Sequence, residues 1–374
     1  MRIFVPNLGS TSFKYKTFDL PGGAVTAHGR MERVRDYREA ILAAHRQHPD
    51  FDAVALKAVH GGPQYRGTYL VDAGVMSALE EFLPAAPVHN RIYLEAIRAF
   101  QEVLPDVPLV AAFETEFHAT MPAAAQAYGV PHGWREAGVM RYGFHGASHQ
   151  YVSEVLGRLI GAVRLVSCHL GGSSSLCAIS GGRSIDTTMG FSPQSGIENA
   201  TRHGELDPFA VLFMMERAGW DLAAVRGQLA AEAGLAGLAG IAGGDVRDLE
   251  AARTPEARLA LDVLGLQVRK TIGAYAAAMG GLDAIAFTGG IGENSATLRR
   301  AICEPLGFLG VALDRAANEE GSGDRRISAP DAGVAVFVIA ANEELVVARR
   351  AYHCLMSSRR RAGSGTAPCD SAAS

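Results

Sequence analysis

The chain has 374 residues, of which 48% are hydrophobic and 20% charged, and its formal net charge is -4 at pH 7. This composition is typical of a folded globular protein long enough for two domains. The charge balance argues against a nucleic-acid or anionic-membrane partner, and the longest apolar stretches are too short to span a bilayer. No apolar leader block follows Met1, so the sequence predicts a cytosolic protein.

The first part of the chain alternates between strand and helix patterns. The patterns predict strands at residues 2–5, 13–20, 24–30, 53–59 and 108–113. A helix is predicted at 37–47, and two further helical stretches precede the last of these strands. Strands that alternate with helices indicate an α/β protein with a largely covered sheet.

The pattern then restarts in the second part of the chain. Helices are predicted at 147–160, 208–218, 222–231 and 256–279, with a last one from about 342. Strands are predicted at 163–169, 176–180, 183–189, 284–288 and 334–340. The segment 169–174 resembles the segment 7–12, which indicates an internal duplication and two related halves that face one cleft.

Four turns rich in glycine or hydroxyl side chains each follow a predicted strand. They lie at residues 9–12, 61–62, 171–175 and 289–292. Glycine lets backbone N–H groups approach a phosphate closely, and α/β sheets place ligands at the carboxyl ends of strands. Any one turn is also compatible with a plain hairpin, but the four together predict a nucleotide site. None of them matches the P-loop or the dinucleotide fingerprint.

Charged side chains next to these turns suit phosphoryl transfer, which needs cations, donors and a metal around the transferring group. The cations are Lys14, Lys57, His145 and Arg202, and the carboxylates able to hold Mg²⁺ are Glu114 and Glu343. Each cation, taken singly, is also compatible with a solvated surface charge. The other histidines near the turns are compatible with hydrogen-bonded structural roles.

Several segments resemble the acetate kinase family, in the family's order and over residues 1–356. They lie at 7–14, 59–62, 117–122, 142–149, 186–191, 201–208, 287–294 and 342–345. The resemblance implies a duplicated actin-like (ribonuclease H-like) two-domain α/β clamshell with a central cleft, as in the sugar kinase and actin superfamily. It also implies ATP-dependent phosphorylation of a short carboxylate, with acetate and ATP giving acetyl phosphate and ADP by direct in-line transfer.

The resemblance also implies roles for single residues. Asn7 and Glu343 would support Mg²⁺ or Mn²⁺, and the catalytic groups would be Glu114, His145 and Arg202. The carboxylate and its acyl group would be bound by Lys57, Val59, Val88, Phe144 and Pro193. ATP or ADP would be bound by Lys14, His169, Leu170, Gly171, Gly172, Ser173, Asp245, Val246, Arg247, Gly290, Ile291, Gly292, Glu293 and Asn294.

The expected architecture has three parts. Domain I would comprise residues 1–114 and 345–358, and domain II, for nucleotide binding and dimerisation, would comprise 118–344. Residues 359–374 are rich in Ser, Arg, Gly, Ala and Pro, which predicts a disordered tail. The resemblance implies a homodimer through domain II, to which the apolar helix at 256–279 is a candidate contributor.

Three residues depart from the family pattern. Lys57 stands where the family has arginine, Glu114 where it has aspartate, and Gly172 where it has asparagine. Lysine lacks the planar fork of arginine, and glutamate is one methylene longer than aspartate, so Lys57 and Glu114 are hypothesised to compensate each other. Ser173 or Ser174 could replace the missing amide donor.

Two alternatives to the phosphorylation of acetate stay open. The Val88 position leaves room for propionate, butyrate or another short acid as the substrate. The three departures argue for the other alternative, a nucleotide-binding regulator that has lost turnover.

Overall fold

The computed structural model describes the backbone of residues 1–9, 12–161 and 163–364, and their side chains except at positions 88 and 361–364. Contacts divide the chain into two compact units. Unit 1 contains Met1–Ala119 and the chain from Asn342 onward, and unit 2 contains Thr120–Ala341. The expected domain II includes residues 118–119 and 342–344, whereas the structure places them in unit 1. Glu343 and Glu344 lie in unit 1 because they bond to Lys57 and Asn7.

Unit 1 is built on a six-stranded mixed sheet with the order β3-β2-β1-β4-β6-β5. Its strands are β1 (Arg2–Gly9), β2 (Ser12–Asp19), β3 (Ala24–Glu32), β4 (Ala53–Ala58), β5 (Thr68–Leu70) and β6 (Leu109–Phe113). The first three form an antiparallel meander, and β1, β4 and β6 run parallel. All five residues of β6 are buried, as expected of a strand that is covered on both faces.

Unit 2 is built on a second six-stranded sheet with the order β11-β12-β10-β7-β8-β9. Its strands are β7 (Arg164–His169), β8 (Ser175–Ser180), β9 (Arg183–Thr187), β10 (Ala284–Thr288), β11 (Arg325–Arg326) and β12 (Ala335–Val338). Strands β7, β8 and β9 form an antiparallel meander, while β7, β10 and β12 run parallel.

The two sheets therefore share one topology. In each sheet, a three-stranded meander is followed by two parallel strands and a short antiparallel edge strand. The antiparallel pair β1 and β2 corresponds to the antiparallel pair β7 and β8. The internal duplication predicted from the sequence is confirmed.

Helices cover the two sheets. They are α1 (Tyr37–Gln47), α2 (Ala73–Glu81), α3 (Pro87–Val103), α4 (Ala123–Gln126), α5 (His132–Glu136), α6 (Gly146–Ile160), α7 (Pro208–Ala218), α8 (Leu222–Gly227), α9 (Gly234–Ala239), α10 (Val246–Ala252), α11 (Pro255–Ala278), α12 (Gly289–Asn294), α13 (Ala296–Cys303), α14 (Arg315–Glu319) and α15 (Glu343–Ser364). Within the described part of the chain, no helix is both long and apolar enough to cross a membrane.

Three predicted segments differ from the structure in kind and not only in their bounds. The predicted turn at 289–292 is the first part of α12. The predicted helix at 222–231 is divided into α8 and a π-helical turn, Gln228–Glu232. Helix α15 continues to Ser364, so the prediction that disorder begins at residue 359 is wrong for 359–364, and the rest of that tail lies outside the described residues.

Candidate active site

The hairpin of β1 and β2 carries the first group of predicted site residues. Asn7 on β1 is directly opposite Lys14 on β2, and the Lys14 side chain is exposed. The Asn7 amide donates to Oε1 of Glu344 at 3.2 Å, and Nζ of Lys16 lies 3.5 Å from Oε2 of the same carboxylate. Glu344, which the sequence analysis did not single out, therefore ties the hairpin to the first turn of α15.

A partly buried cluster of one lysine and two carboxylates lies at the ends of β4 and β6 and the start of α15. Nζ of Lys57 is 2.6 Å from Oε2 of Glu343 and 3.3 Å from Oε1 of Glu114. The Glu114 side chain is only 4% exposed. Neither of its oxygens accepts a hydrogen bond of good geometry. The structure thus brings Lys57 and Glu114 into direct contact, although whether they compensate each other stays a prediction.

The pKa values in this cluster reflect burial and charge together. Burial lowers the pKa of Lys57, but Glu343 and Glu114 raise it well above its ordinary value, so the ammonium stays charged. The pKa of Glu114 is raised by burial and by Glu343, against the opposing effects of Lys57 and of Arg350 on α15. Arg350 also pairs with Glu116, so three carboxylates face two cations, and the ionised group has an excess of negative charge.

Arg350 on α15 is a further member of this region that the sequence analysis missed. Its guanidinium lies 3.4 Å from the carbonyl oxygen of Phe113 and 3.4 Å from a carboxylate oxygen of Glu116. Arg350 is seven positions after Glu343, so both residues lie on the same face of α15. That spacing is the only sequence signal that could have connected Arg350 with the end of β6.

The segment after β4 is held by buried polar contacts. The Asn90 amide donates to the carbonyl oxygens of His60 and Leu79 at 2.9 and 3.0 Å. A Cβ on Gly62, whose φ is +68°, would lie 2.1 Å from the ring of Phe82. The glycines of this predicted phosphate turn therefore permit close packing. Val59 is buried at the start of the turn, and the side chain of Val88 lies outside the described residues.

In unit 2, His145 lies at the start of α6 with a left-handed backbone, at φ 56°. Its imidazole ring stacks on that of His169 with 4.3 Å between the ring centroids. Its Nδ1 is 2.8 Å from Oγ of Ser175, which is also 2.8 Å from Nε2 of His149. The strained backbone at His145 is typical of residues held in place for function. Phe144, which precedes it, is buried.

Arg202 is a buried cation with an unusual set of contacts. Its guanidinium donates to the carbonyl oxygen of Pro193 at 2.6 Å and has no carboxylate partner within the described residues. Burial lowers its pKa to about 10, so it remains charged at neutral pH. Because a buried charge is costly without a counter-charge, this arrangement suits an anionic ligand.

A cavity of about 750 Å³ lies within unit 2, beside the turn after β7. Its lining includes predicted nucleotide-binding residues, namely Gly171, Gly172, Asp245, Val246, Arg247, Gly290, Ile291 and Asn294. Its lining also includes residues that the sequence analysis missed, namely Ala200, Gly243, Gly244, Glu250 and Ser295. The glycine pair at 243–244 is a sequence feature that could have predicted part of this lining.

Other predicted nucleotide-binding residues have structural contacts. The Leu170 carbonyl oxygen accepts from the N–H groups of Ile291 and Gly292 at 2.9 and 3.0 Å, which joins the two glycine turns. A carboxylate oxygen of Glu293 accepts from the backbone N–H of Ala341 at 3.0 Å. Leu170, Gly292 and Glu293, like His169 and Ser173, are not among the residues that line the cavity.

Ser174 cannot replace the amide donor that is missing at Gly172. Its hydroxyl donates to the carbonyl oxygen of Gly171 at 3.0 Å and accepts from the same residue's N–H at 3.1 Å. Its own N–H donates to Oδ1 of the buried Asn199 at 2.6 Å. Ser174 therefore closes the turn from inside, and the prediction that it could serve as a donor to phosphate is wrong. Ser173, which is half-buried, remains the candidate.

The two sheets share one topology, and residues suited to phosphoryl transfer lie in unit 1 and in unit 2. These features define a two-domain α/β kinase with the actin-like fold. The crystal structure of Porphyromonas gingivalis acetate kinase superposes with a TM-score of 0.85 at 31% identity, covering 95% of this chain and 99% of that one. The likeness extends over nearly the whole length of both proteins.

Sequence comparisons identify the family. The model of the acetokinase family matches residues 22–349, and the chain belongs to that family. A propionate kinase of Citrobacter rodentium is 41% identical, covering 93% of this chain and 95% of its own length. An acetate kinase of Carboxydothermus hydrogenoformans is 38% identical, covering 93% and 98%. The family resemblance inferred from the motifs is confirmed.

Proposed function

We propose that this protein transfers the γ-phosphoryl group of ATP to a short-chain carboxylate, with acetate as the first substrate to test. The observation that carries the proposal is Arg202, a buried cation held by the Pro193 carbonyl with no carboxylate beside it in the described part of the chain. Such a cation is suited to an anionic group that arrives with the substrates.

Unit 2 would bind the nucleotide. Its 750 Å³ cavity is large enough for a nucleotide-sized ligand. The lining glycines Gly172, Gly243 and Gly290 have open space where a Cβ would stand, so their backbone can be approached closely. His145 and Arg202 would donate hydrogen bonds to the transferring phosphoryl group and offset the charge that develops on its oxygens.

Unit 1 would bind the carboxylate and the metal. Lys57 stays charged and would attract the carboxylate, and Val59 would contact its alkyl group. A carboxylate is already ionised at neutral pH, so it can attack phosphorus without a strong base. Glu114 would therefore orient the reacting groups, and Lys14 would contact phosphate oxygens.

The residues of unit 1 fit a divalent cation. The excess negative charge around Glu343 and Glu114, and the Glu114 oxygens without a good hydrogen-bond donor, are the environment that a hard cation neutralises. Asn7 and Glu343 would hold Mg²⁺ or Mn²⁺. Within the described residues no cluster of three or more His, Cys, Asp or Glu side chains could hold a metal, so water and phosphate oxygens would complete the shell. When bound, the metal would supply charge neutralisation.

The substrate could also be propionate. The propionate kinase of Citrobacter rodentium is as similar to this chain as the acetate kinases are, so overall identity does not separate the two acids. Longer acids such as butyrate belong in the same assay.

We also infer a homodimer and a cytosolic location. Helix α7 has no buried residue, and Phe209 and Phe213 are 76% and 57% exposed. An exposed apolar face of this kind is typical of an interface. Leu259 and Leu266 on α11 are also exposed. The cysteines of the described chain are free thiols, which is typical of a reducing compartment.

The proposal is tested by trapping acyl phosphate as its hydroxamate, with ATP, Mg²⁺ and a panel of formate, acetate, propionate and butyrate. We expect product with acetate or propionate and its loss in the Arg202→Leu variant. Ser184→Ala, a change of a buried serine whose hydroxyl contacts Cys177, which is not a predicted site residue, is the matched control and should keep the activity. Absence of product with every acid, together with tight ATP binding by calorimetry, would favour the nucleotide-binding regulator.

A further inference from the structure

A continuous chain of hydrogen bonds leads from the interior of unit 2 to His145. Oγ of Ser167 on β7 is 2.9 Å from Nδ1 of His149, and Nε2 of His149 is 2.8 Å from Oγ of Ser175 on β8. The Ser175 hydroxyl is in turn 2.8 Å from Nδ1 of His145. Ser167, His149 and Ser175 are each 0% exposed. Of these three residues, only Ser175 belongs to a turn from which the sequence predicted a site, the one at 171–175.

The direction of the hydrogen bonds follows from Ser167. Its hydroxyl carries one hydrogen, and Nδ1 of His149 is the one hydrogen-bond partner of that hydroxyl within the described residues. A buried hydroxyl that cannot donate is penalised, so the Ser167 hydrogen points at His149. Nδ1 of His149 is therefore an acceptor, and the imidazole carries its hydrogen on Nε2.

The next two bonds are then determined. His149 donates from Nε2 to the Ser175 oxygen, so the single hydrogen of Ser175 is left for Nδ1 of His145. Because Nδ1 of His145 accepts this hydrogen bond, the one N–H hydrogen of the neutral ring lies on Nε2. If every bond ran the other way, His149 would donate to Ser167, whose own hydrogen would have no acceptor. A doubly protonated His149 would leave Ser167 in the same position.

We propose that Ser167, His149 and Ser175 are positioning residues that hold His145 in the neutral tautomer with its hydrogen on Nε2. This inference rests on the proposed function, in which His145 donates to the transferring phosphoryl group. In the other neutral tautomer, Nε2 would present a lone pair to an anionic oxygen and repel it. The relay therefore makes His145 a hydrogen-bond donor without requiring a positive charge on the ring.

A second buried serine repeats the arrangement on the neighbouring ring. Oγ of Ser148 is 2.8 Å from Nδ1 of His169 and has no other hydrogen-bond partner in the described part of the chain. The same reasoning places the His169 hydrogen on Nε2. Because the His145 and His169 rings are stacked, two serines prepare two adjacent imidazoles in the same tautomer.

The first test is the position of the hydrogen in the full-length wild-type protein. Two-bond ¹⁵N–¹H correlations of ¹⁵N-histidine-labelled protein, recorded at about pH 8 where an ordinary imidazole is neutral, show which ring nitrogen is protonated. His145→Gln and His149→Gln variants assign the two signals. We expect the hydrogen on Nε2 of both rings. A hydrogen on Nδ1 of either ring, with or without one on Nε2, would overturn the proposal.

The second test is kinetic. We expect Ser175→Ala to lower kcat by about 10-fold, since a donor is disoriented but not removed, with the KM for ATP and for acetate changed much less. Ser175→Thr, which keeps the hydroxyl, should recover part of kcat, and Ser184→Ala should leave it unchanged. Equal activity of Ser175→Ala and wild type would contradict the relay.

Ser167→Ala gives a second break in the relay, away from the His145 ring, if Ser175→Ala does not fold. We expect it to lower kcat in the same direction, and an unchanged kcat would again contradict the relay. The proposed function and the proposed tautomer are tested independently. If the protein forms no acyl phosphate, the proposed function fails, while the NMR spectrum still decides the tautomers.

Discussion

Nζ of Lys57 lies 2.6 Å from Oε2 of Glu343, although 286 positions separate the two residues in the chain. Glu114 lies on the other side of the same ammonium, 3.3 Å away. The residues that depart from the family pattern at 57 and 114 are thus in contact, and Lys57 also pairs with Glu343, a proposed metal ligand. The geometry makes compensation between them testable.

Lys57→Arg and Glu114→Asp are expected to be coupled. Each single change should lower kcat/KM for acetate by about 10-fold or more, because arginine overfills a site bounded by two carboxylates and aspartate withdraws one of them. The double variant should be more active than the product of the single effects predicts. Steady-state kinetics on the four proteins give the coupling energy. A gain of activity in Lys57→Arg alone would show that Lys57 and Glu114 do not compensate each other.

Gly172→Asn should fold normally and lower the KM for ATP. A Cβ at Gly172 meets nothing within 4 Å, so the side chain has room and could restore an amide donor to the nucleotide. Gly289→Asn is the contrasting variant, because φ there is +77° and a Cβ would lie 2.7 Å from the Leu170 carbonyl oxygen. Thermal melts and KM measurements check both changes. An unchanged or higher KM in a stable Gly172→Asn protein would assign the donor role elsewhere.

Replacement of a buried arginine by leucine should lower activity at Arg202 and stability at Arg299. Arg202 bonds to one carbonyl oxygen, so Arg202→Leu should abolish most activity, by about 100-fold or more, with little change in thermal stability. Arg299 donates to Asn318 and to the Gly292 and Glu293 carbonyl oxygens. Arg299→Leu should therefore cost at least about 2 kcal/mol of unfolding free energy. A large loss of stability in Arg202→Leu would indicate a structural role for that residue.

His203 should make the protein less stable in mild acid. Burial lowers its pKa below the ordinary value of 6.5, and Arg202 lowers it further. The unfolded chain therefore takes up a proton before the folded protein does, so stability that is present above 6.5 is lost as the pH falls through the folded pKa. His203→Gln should reduce the loss of Tm between about pH 7.5 and about pH 5. His28→Gln, at an exposed position, is the control for the loss of one histidine.

The exposed face of α7 should control self-association. Phe213→Glu places a charge in the centre of that face, so we expect a lower molar mass by light scattering if the face is a dimer interface. Phe308→Glu is a matched control, because Phe308 is 80% exposed in a different part of unit 2. A dimer that survives Phe213→Glu would place the interface elsewhere.

Much of the fold was predictable because its signals are local. Strands such as β6 and β10 are continuous apolar runs, which a sequence shows directly, and the turns after strands are marked by glycine because of its backbone freedom. The resemblance between the segments after β1 and β7 was enough to predict two sheets of one topology. The same motifs identified the family and most of the residues that line the nucleotide-sized cavity.

The sequence by itself therefore determined the duplicated α/β architecture, the family and the kinds of residue at the site. The tertiary structure decided the partners: Glu344 holds Asn7, Lys57 lies between Glu114 and Glu343, and Ser174 turns inward. The physical reason is that hydrogen bonds and ion pairs depend on distances of about 3 Å between groups far apart in the chain. No local pattern encodes such distances, and the relay from Ser167 to His145 exists only once two strands and a helix have packed together.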